Sequence, residues 1–445
     1  MSFATGIFFI LYIQLFYKVR NKRKRFLYTL FFHTILTVFL SVSSVIKIGS
    51  FSIAFSDASL LVLIFTFFAM FLNQRICIRK EIMYAVLVFI ALIILSWIIN
   101  TIFSRNVLVV PMGKFWEISN VSKPFFSFTY INYLVRFIFF FLVLLVSRKI
   151  ISRKELLYFK KLFLNVGKIV LLFGIFEFIT KTYVPNVFSI IVNILFNDTS
   201  NYFINTRGGI TPILGFTFEP SQFVWSNLFF GLILINSKEK NKLFWFVLTI
   251  IEILISMSFT SILVSVILSV YAIYDFDYRD RIIFITIIIL AIICISFAEN
   301  SSIISYYSDR FQKVQITAVG KSYETNINSE IRIQSIMYTL SQFLYTPFLG
   351  SGLGTSYSYS ALVTFLASCG LCPFLIYIYI FKYFCKKWCN ISLISSICCL
   401  FAFFFAGAIS DFYTFILPFC LILCNIKFNK EELYDRNSHF KLFDL

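Results

Sequence analysis

LFWFVLTIIEILISMSFTSILVSVILSVYAIY, the stretch from Leu243 to Tyr274, contains one charged residue, Glu252, and is closed at both ends by basic clusters, Lys238 to Lys242 and Arg279 to Arg281. As a single helix it would be about 48 Å long, whereas a bilayer's hydrocarbon core is about 30 Å thick. Two spans folded back at Ser256 to Ser261 fit better, because both basic ends then lie on the same side of a membrane. The stretch from Asn390 to Ile426 divides in the same way near Gly407 to Asp411.

Working outward from that hairpin, the rest of the chain repeats its pattern. Of 445 residues, 59% are hydrophobic and only 13% charged, about half the charged fraction of a soluble domain, so the chain cannot hide its apolar surface from water. Spans are expected at 3–17, 26–46, 58–73, 82–103, 131–147, 162–182, 213–236, 243–257, 260–274, 282–298, 358–381, 390–408 and 411–426. The fold class predicted is all-α: a polytopic transmembrane helical bundle of about 12–13 spans, one integral membrane domain over 1–445. Its larger extracytoplasmic loops are expected at about 104–130, 183–212 and 299–357. The first apolar segment, Phe3 to Tyr17, runs straight into the basic run Lys18 to Arg25 and reads as a retained helix rather than a cleaved leader.

The net charge of +18 does not indicate nucleic acid, because the basic residues sit between apolar runs. Lys18 to Arg25, Arg75 to Lys80, Arg148 to Lys161, Lys238 to Lys242, Arg279 to Arg281, Lys382 to Lys387 and Lys427 to Arg436 all fall on one side if the N-terminus is outside and the C-terminus cytoplasmic. That placement predicts a polytopic inner-membrane protein with membrane lipids, not nucleic acid, as its surroundings. The ten cysteines lie mostly in or beside apolar runs, so a disulfide framework is not expected. Cys369-x-x-Cys372 has no partner ligands nearby in the sequence. The only histidines are His33 and His439, which leaves none in the outer loops for base catalysis or metal binding. Neither a metal nor a cofactor is expected.

Chemistry is expected where polar residues meet the outer boundary. In Asn205-Thr-Arg207-Gly-Gly-Ile-Thr-Pro-Ile-Leu-Gly215-Phe-Thr-Phe-Glu219-Pro220-Ser221, Pro220 suits the first helical position and disfavours helix at the residue before it. Glu219 then stands at the mouth of a helix whose free amides attract anions. Arg207 can bind a diphosphate there with two parallel bonds. The plainer alternative is that Glu219 caps the helix and pairs with Arg207. A second segment runs from Ser329-Glu330-Ile-Arg332 to Pro347-Phe-Leu-Gly350-Ser-Gly352-Leu-Gly354-Thr355. Arg332 is followed by an uncharged run from Ile333 to Phe381. The glycine run lacks the strand and helix of a dinucleotide site. It is either an amide nest for phosphate, a turn, or a close helix contact. Arg310 and Lys313 are weaker candidates in the same loop. Lys168, Glu177 and Glu252 lie inside expected spans, where structural pairing is the likelier role.

Taken together, four features resemble the bacterial O-antigen and capsule repeat-unit polymerases, a family close to the O-antigen ligases. They are Phe55-Ser56-Asp57 opening an early span, the R-x-x-G/E-P-S segment from Arg207 to Ser221, the Ser256-Met-Ser-Phe-Thr-Ser261 turn, and Arg332 followed by P-F-L-G-S-G-L-G-T. The resemblance implies a polysaccharide polymerase that joins undecaprenyl-diphosphate-linked oligosaccharides on the periplasmic face. It further implies metal-independent glycosyl transfer and a chain-length regulator as a partner. On that basis Arg207 and Arg332 would hold diphosphates and Glu219 would orient or deprotonate the acceptor hydroxyl. Ser221, Gly350, Gly352 and Arg310 would contact substrate. Ligases carry a functional histidine in the large outer loop, and 299–357 has none, which favours polymerase over ligase. A flippase or transporter of the same lipid-linked unit is the alternative from another class.

Overall fold

The computed structural model describes residues 2–40, 44–48, 51–72, 80–103, 128–196, 211–217, 220–297, 327–355, 358 and 360–385. The described chain is mostly helical, with one short β-hairpin. In order the elements are α1 Phe3–Lys18, α2 Lys22–Phe39, β1 Ser44–Ile48, β2 Phe51–Ala54, α3 Phe55–Phe71, α4 Lys80–Phe103, α5 Phe128–Ile150, α6 Arg153–Tyr183 and α7 Pro185–Leu195. They continue with α8 Pro220–Ile235, α9 Lys242–Ile255, α10 Phe259–Asp275, α11 Tyr278–Phe297, α12 Ile327–Tyr345, α13 Ala361–Cys369 and α14 Leu371–Cys385.

Helix starts follow local chemistry. The Ser2 hydroxyl accepts from the Thr5 amide and the Asn21 side chain from the Lys24 amide. Ser152 and Glu155 close a reciprocal capping box ahead of α6, which satisfies two otherwise free amides. Pro185 and Pro220 open α7 and α8, where a missing N–H loses nothing. Phe55-Ser56-Asp57 does open a helix, and the Ser256 to Ser261 stretch does turn the chain between α9 and α10.

By contacts the chain divides into two compact units. In the first, which contains α1–α3 and α6–α11, α8 is buried on every side from Phe223 to Ile235, as expected of a helix that is apolar all round. It packs against α2, α6, α9 and α10. At Gly167 of α6 the absent side chain leaves room for the Phe230 ring. The unit has two distinct ends. At one, buried Lys160 donates to the Asn236 carbonyl at the C-terminus of α8 (2.6 Å), where a cation opposes the helix dipole. Nearby, Lys168 meets Glu239 (2.5 Å), Arg23 meets Glu155 (3.5 Å), and Lys242 lies over the Phe276 ring. The basic clusters of this unit therefore share one end, and the α9–α10 turn lies at the other.

The second unit contains α4, most of α5, and α12–α14. Phe137, Phe141, Phe365 and Tyr377 pack in its core with their rings tilted against one another. Arg148 lies 3.8 Å over the Tyr383 ring.

Three described helices are long and apolar enough to cross a membrane: Lys80–Phe103, Tyr130–Ile150 and Arg153–Tyr183. There are four if the bent pair α13–α14 counts as one. Large apolar side chains such as Leu61, Phe65 and Phe68 of α3, and Leu87, Ile98 and Ile102 of α4, stand exposed. Rows of this kind suit a lipid environment and would be a liability in water.

Several elements differ from the sequence expectation. The span expected at 358–381 is two helices bent by 118° on either side of Gly370, whose φ is +77°. The span expected to reach residue 46 ends as a helix at Phe39 and gives way to β1–β2, because the Ser- and β-branched-rich stretch there prefers a pleated strand. The loop expected at 183–212 holds α7, and that at 299–357 holds α12. The spans expected at 390–408 and 411–426 lie outside the described residues.

Candidate functional site

The most built polar site of the first unit lies where residues 211–217 cross α6 on their way into α8. Glu177 of α6 is fully buried. Its carboxylate accepts from the Gly215 amide at 2.7 Å, from the Leu214 amide at 3.1 and 3.2 Å, and from Lys181 Nζ at 2.5 Å. Lys181 follows Glu177 by one helical turn, the favourable order for an acid–base pair on a helix. Hydrogen bonds to a charged group are worth about 1.5–3 kcal/mol each, so this carboxylate is a strong local clamp.

Apolar contacts hold the same segment from its other side. Phe216 stacks on Phe173 with centroids 4.2 Å apart. Leu214 joins Phe188, Val192 and Phe196 in one cluster. Gly215 takes φ +58°, which lets consecutive amides turn toward one carboxylate without a Cβ penalty. Thr217 closes the turn, donating from both its amide (3.0 Å) and its hydroxyl (2.7 Å) to the Leu214 carbonyl. The segment is thus pinned three residues before α8 begins.

Glu252 of α9 lies against α6 one turn from Glu177. It is 1% exposed, and neither carboxyl oxygen has a hydrogen-bond partner. Its space exists because residue 174 is glycine: a methyl group there would stand 2.6 Å from Oε2. Ser256, one turn further along α9, shares a hydrogen bond with Ser261 (2.9 Å). The Ser258 and Thr260 hydroxyls share another (2.8 Å).

Of the residues singled out by sequence, Ser221 is the second residue of α8 and is partly exposed. Arg207, Glu219 and Arg310 lie outside the described residues. Arg332 is in the first half of α12, and its side chain lies outside what is described. Gly350 and Gly352, in the second unit, are buried, and of the three alternatives for this run the turn is the one seen, with the amides of both glycines already bonded. The amides of Gly350, Ser351, Gly352 and Thr355 donate to the carbonyls of Thr346, Ala367, Ser368 and Gly352 at 2.7–3.1 Å. The Gly350 carbonyl accepts from Ser96 (3.0 Å) and Asn100 (2.8 Å), and the Leu353 carbonyl from Trp97 (3.1 Å). The run is a packed turn.

Lys168 and Glu177 are not partners of one another. Each pairs elsewhere, with Glu239 and Lys181 respectively. Among the described residues, the pairing expected for Glu252 is absent. What the sequence reading missed is the role of Glu177 as the clamp on 214–215. The available signal was Glu177-x-x-x-Lys181, an acid already neutralised by its own helix and therefore able to turn its remaining lone pairs to backbone amides. Cys369 and Cys372 are free thiols, and among the described residues no three His, Cys, Asp or Glu side chains gather as a metal site. Compared with models of known protein families and with curated proteins, the chain matches none.

Proposed function

We propose that the protein is a membrane-embedded glycosyltransferase of the polysaccharide polymerase type. It would join undecaprenyl-diphosphate-linked oligosaccharide units on the periplasmic face of a bacterial inner membrane, in O-antigen or capsule synthesis. The observation that carries the reading is the clamp on residues 211–217. It holds part of the stretch that separates Arg207 from Glu219 in the sequence, the two residues of the first segment with diphosphate- and hydroxyl-binding chemistry, and their own placement lies outside the described residues. Fixed geometry of this kind is what transfer between two bound substrates requires. In this reading Arg207 and Arg332 each hold a diphosphate, Glu219 takes or orients the acceptor hydroxyl, and Ser221 borders the acceptor. The polarity of the first unit, with basic clusters at one end and the clamp at the other, supports an outward-facing site under the positive-inside rule.

A second reading, a transporter of the same lipid-linked unit, is favoured by two observations. Buried Glu252 lacks a partner, and the α13–α14 pair is sharply bent; intramembrane carboxyls and broken helices recur in transporters. The experiment that separates the readings is a gel of surface polysaccharide from a deletion strain, a complemented strain, and strains carrying Arg207→Ala or Glu219→Gln. Collapse of the ladder to one repeat unit in the deletion and both variants, at normal protein levels, supports polymerase. Unchanged chain length in both variants refutes the site, and unpolymerised units retained on the cytoplasmic face identify the transporter.

A further inference from the structure

We infer that Glu252 is an exchangeable proton-binding site within the first unit, served by the serine-rich turn between α9 and α10. Three observations point there. The carboxyl is enclosed and both its oxygens are unpartnered. The pocket that holds it is made by the missing side chain of Gly174, so the space fits a carboxyl group rather than arising from loose packing. A hydroxyl-rich turn also follows it: Ser256, just past the end of α9, donates to the Ile253 carbonyl (2.6 Å) and bonds Ser261, whose hydroxyl accepts from the Ser258 amide (3.2 Å), and Ser258 bonds Thr260, while none of these hydroxyls is hydrogen-bonded to Glu252 itself.

The surroundings determine which ligand fits. Buried carboxyls are held by partners, metals or protons, and when two acids in different environments face one another, one ionises while the other stays neutral. Glu177 on α6 has Lys181 and two backbone amides to hold its charge, whereas Glu252 has none of these. Among the described residues, the other helices packed on α9 add no compensating charge nearby. Residues 220–235 of α8 include no titratable group. Tyr271 of α10 bonds Asn236 at the opposite end of the unit, and Tyr274 and Asp275 follow it there. Tyr278, Arg279, Asp280 and Arg281 of α11 begin at that same end. One proton therefore resides on Glu252. Because no hydrogen bond joins Glu252 to the turn, the proton leaves on a water molecule that enters between them, the carboxylate staying behind until a proton returns the same way. This inference does not depend on whether the protein polymerises or transports.

The test uses the full-length protein in lipid. Wild type treated with an apolar carbodiimide, which reacts with neutral carboxylic acids in apolar surroundings, is expected to carry the label on Glu252 by peptide mapping. It is also expected to show the infrared carbonyl stretch of a neutral acid that shifts in D2O. Both signals are lost in Glu252→Gln, and a Ser256→Ala/Ser261→Ala double variant retains them but exchanges more slowly. Absence of label and band from wild type overturns the inference without any variant having to fold. A band that never shifts in D2O overturns exchangeability, and protection from label by added sodium or potassium salts shows a metal cation site instead.

Discussion

Two non-helical segments lie within the stretches singled out by sequence, and they are held in opposite ways. Residues 214–217 in the first unit are gripped by a charged side chain: Glu177, itself neutralised by Lys181, accepts from backbone amides. Residues 350–353 in the second unit are gripped by neutral donors, Ser96, Trp97 and Asn100, which give to backbone carbonyls. The Gly350, Ser351 and Gly352 amides are spent on the carbonyls of Thr346, Ala367 and Ser368. An ionic clamp fails as a whole once its charge is removed, because it leaves a buried cation and unpaired amides behind. A neutral lattice of many small bonds loses one member at a time.

The comparison breaks most sharply at Glu177. Glu177→Leu leaves Lys181 and two amides without their acceptor, and is expected to destabilise the first unit by about 3–5 kcal/mol, read as loss of the folded monodisperse peak on mild heating in detergent. A loss under about 1 kcal/mol would mean that the apolar contacts of Leu214 and Phe216 suffice. In the second unit the largest single loss is expected at Gly370→Ala. Its conformation is nearly exclusive to glycine, which costs about 1–3 kcal/mol, and an added Cβ would lie 2.4 Å from the Phe348 carbonyl oxygen. Proteolysis rates of the second unit would report it. Asn100→Ala is smaller, about 1 kcal/mol, because Ser96 still donates to the Gly350 carbonyl. Faster hydrogen exchange at 350–352, with melting nearly unchanged, would confirm the piecemeal lattice. Smallest in stability is Ser221→Ala, within about 0.5 kcal/mol at a partly exposed position. A shortened polysaccharide ladder at wild-type protein levels would place Ser221 at the substrate, and an unchanged ladder would remove it from the site.

How much of this was legible in sequence depends on the length scale of the signal. The hairpin at Ser256 to Ser261 and the start of α8 at Pro220 were readable, because hydropathy over a span and the stereochemistry of proline are local properties. The break at Gly370 was not, since an uncharged run averages to the same hydropathy whether or not it bends. The choice among nest, turn and helix contact at Gly350 to Gly354 stayed open in the sequence for a related reason. Glycines allow amides to converge, but which carbonyls meet them is decided by Ala367 and Ser368, residues with no mark of that role in the chain. The Glu177 clamp was hidden because its partners are backbone groups, which every residue possesses. Arg207, Glu219 and Arg310 lie outside the described residues, so their roles rest on the sequence pattern.

The turn at Gly350 also has a history in time. Ser96 and Asn100 donate to a carbonyl 254 and 250 residues further along the chain. At synthesis rates of roughly 5–20 residues per second, the polar groups of α4 are made on the order of 10–50 s before their acceptor. A polar group unpaired in hydrocarbon attracts any donor or acceptor within reach. During that interval the second unit depends on some other occupant, such as water, lipid headgroups or the insertion machinery, to keep Ser96, Trp97 and Asn100 available for the turn that eventually claims them.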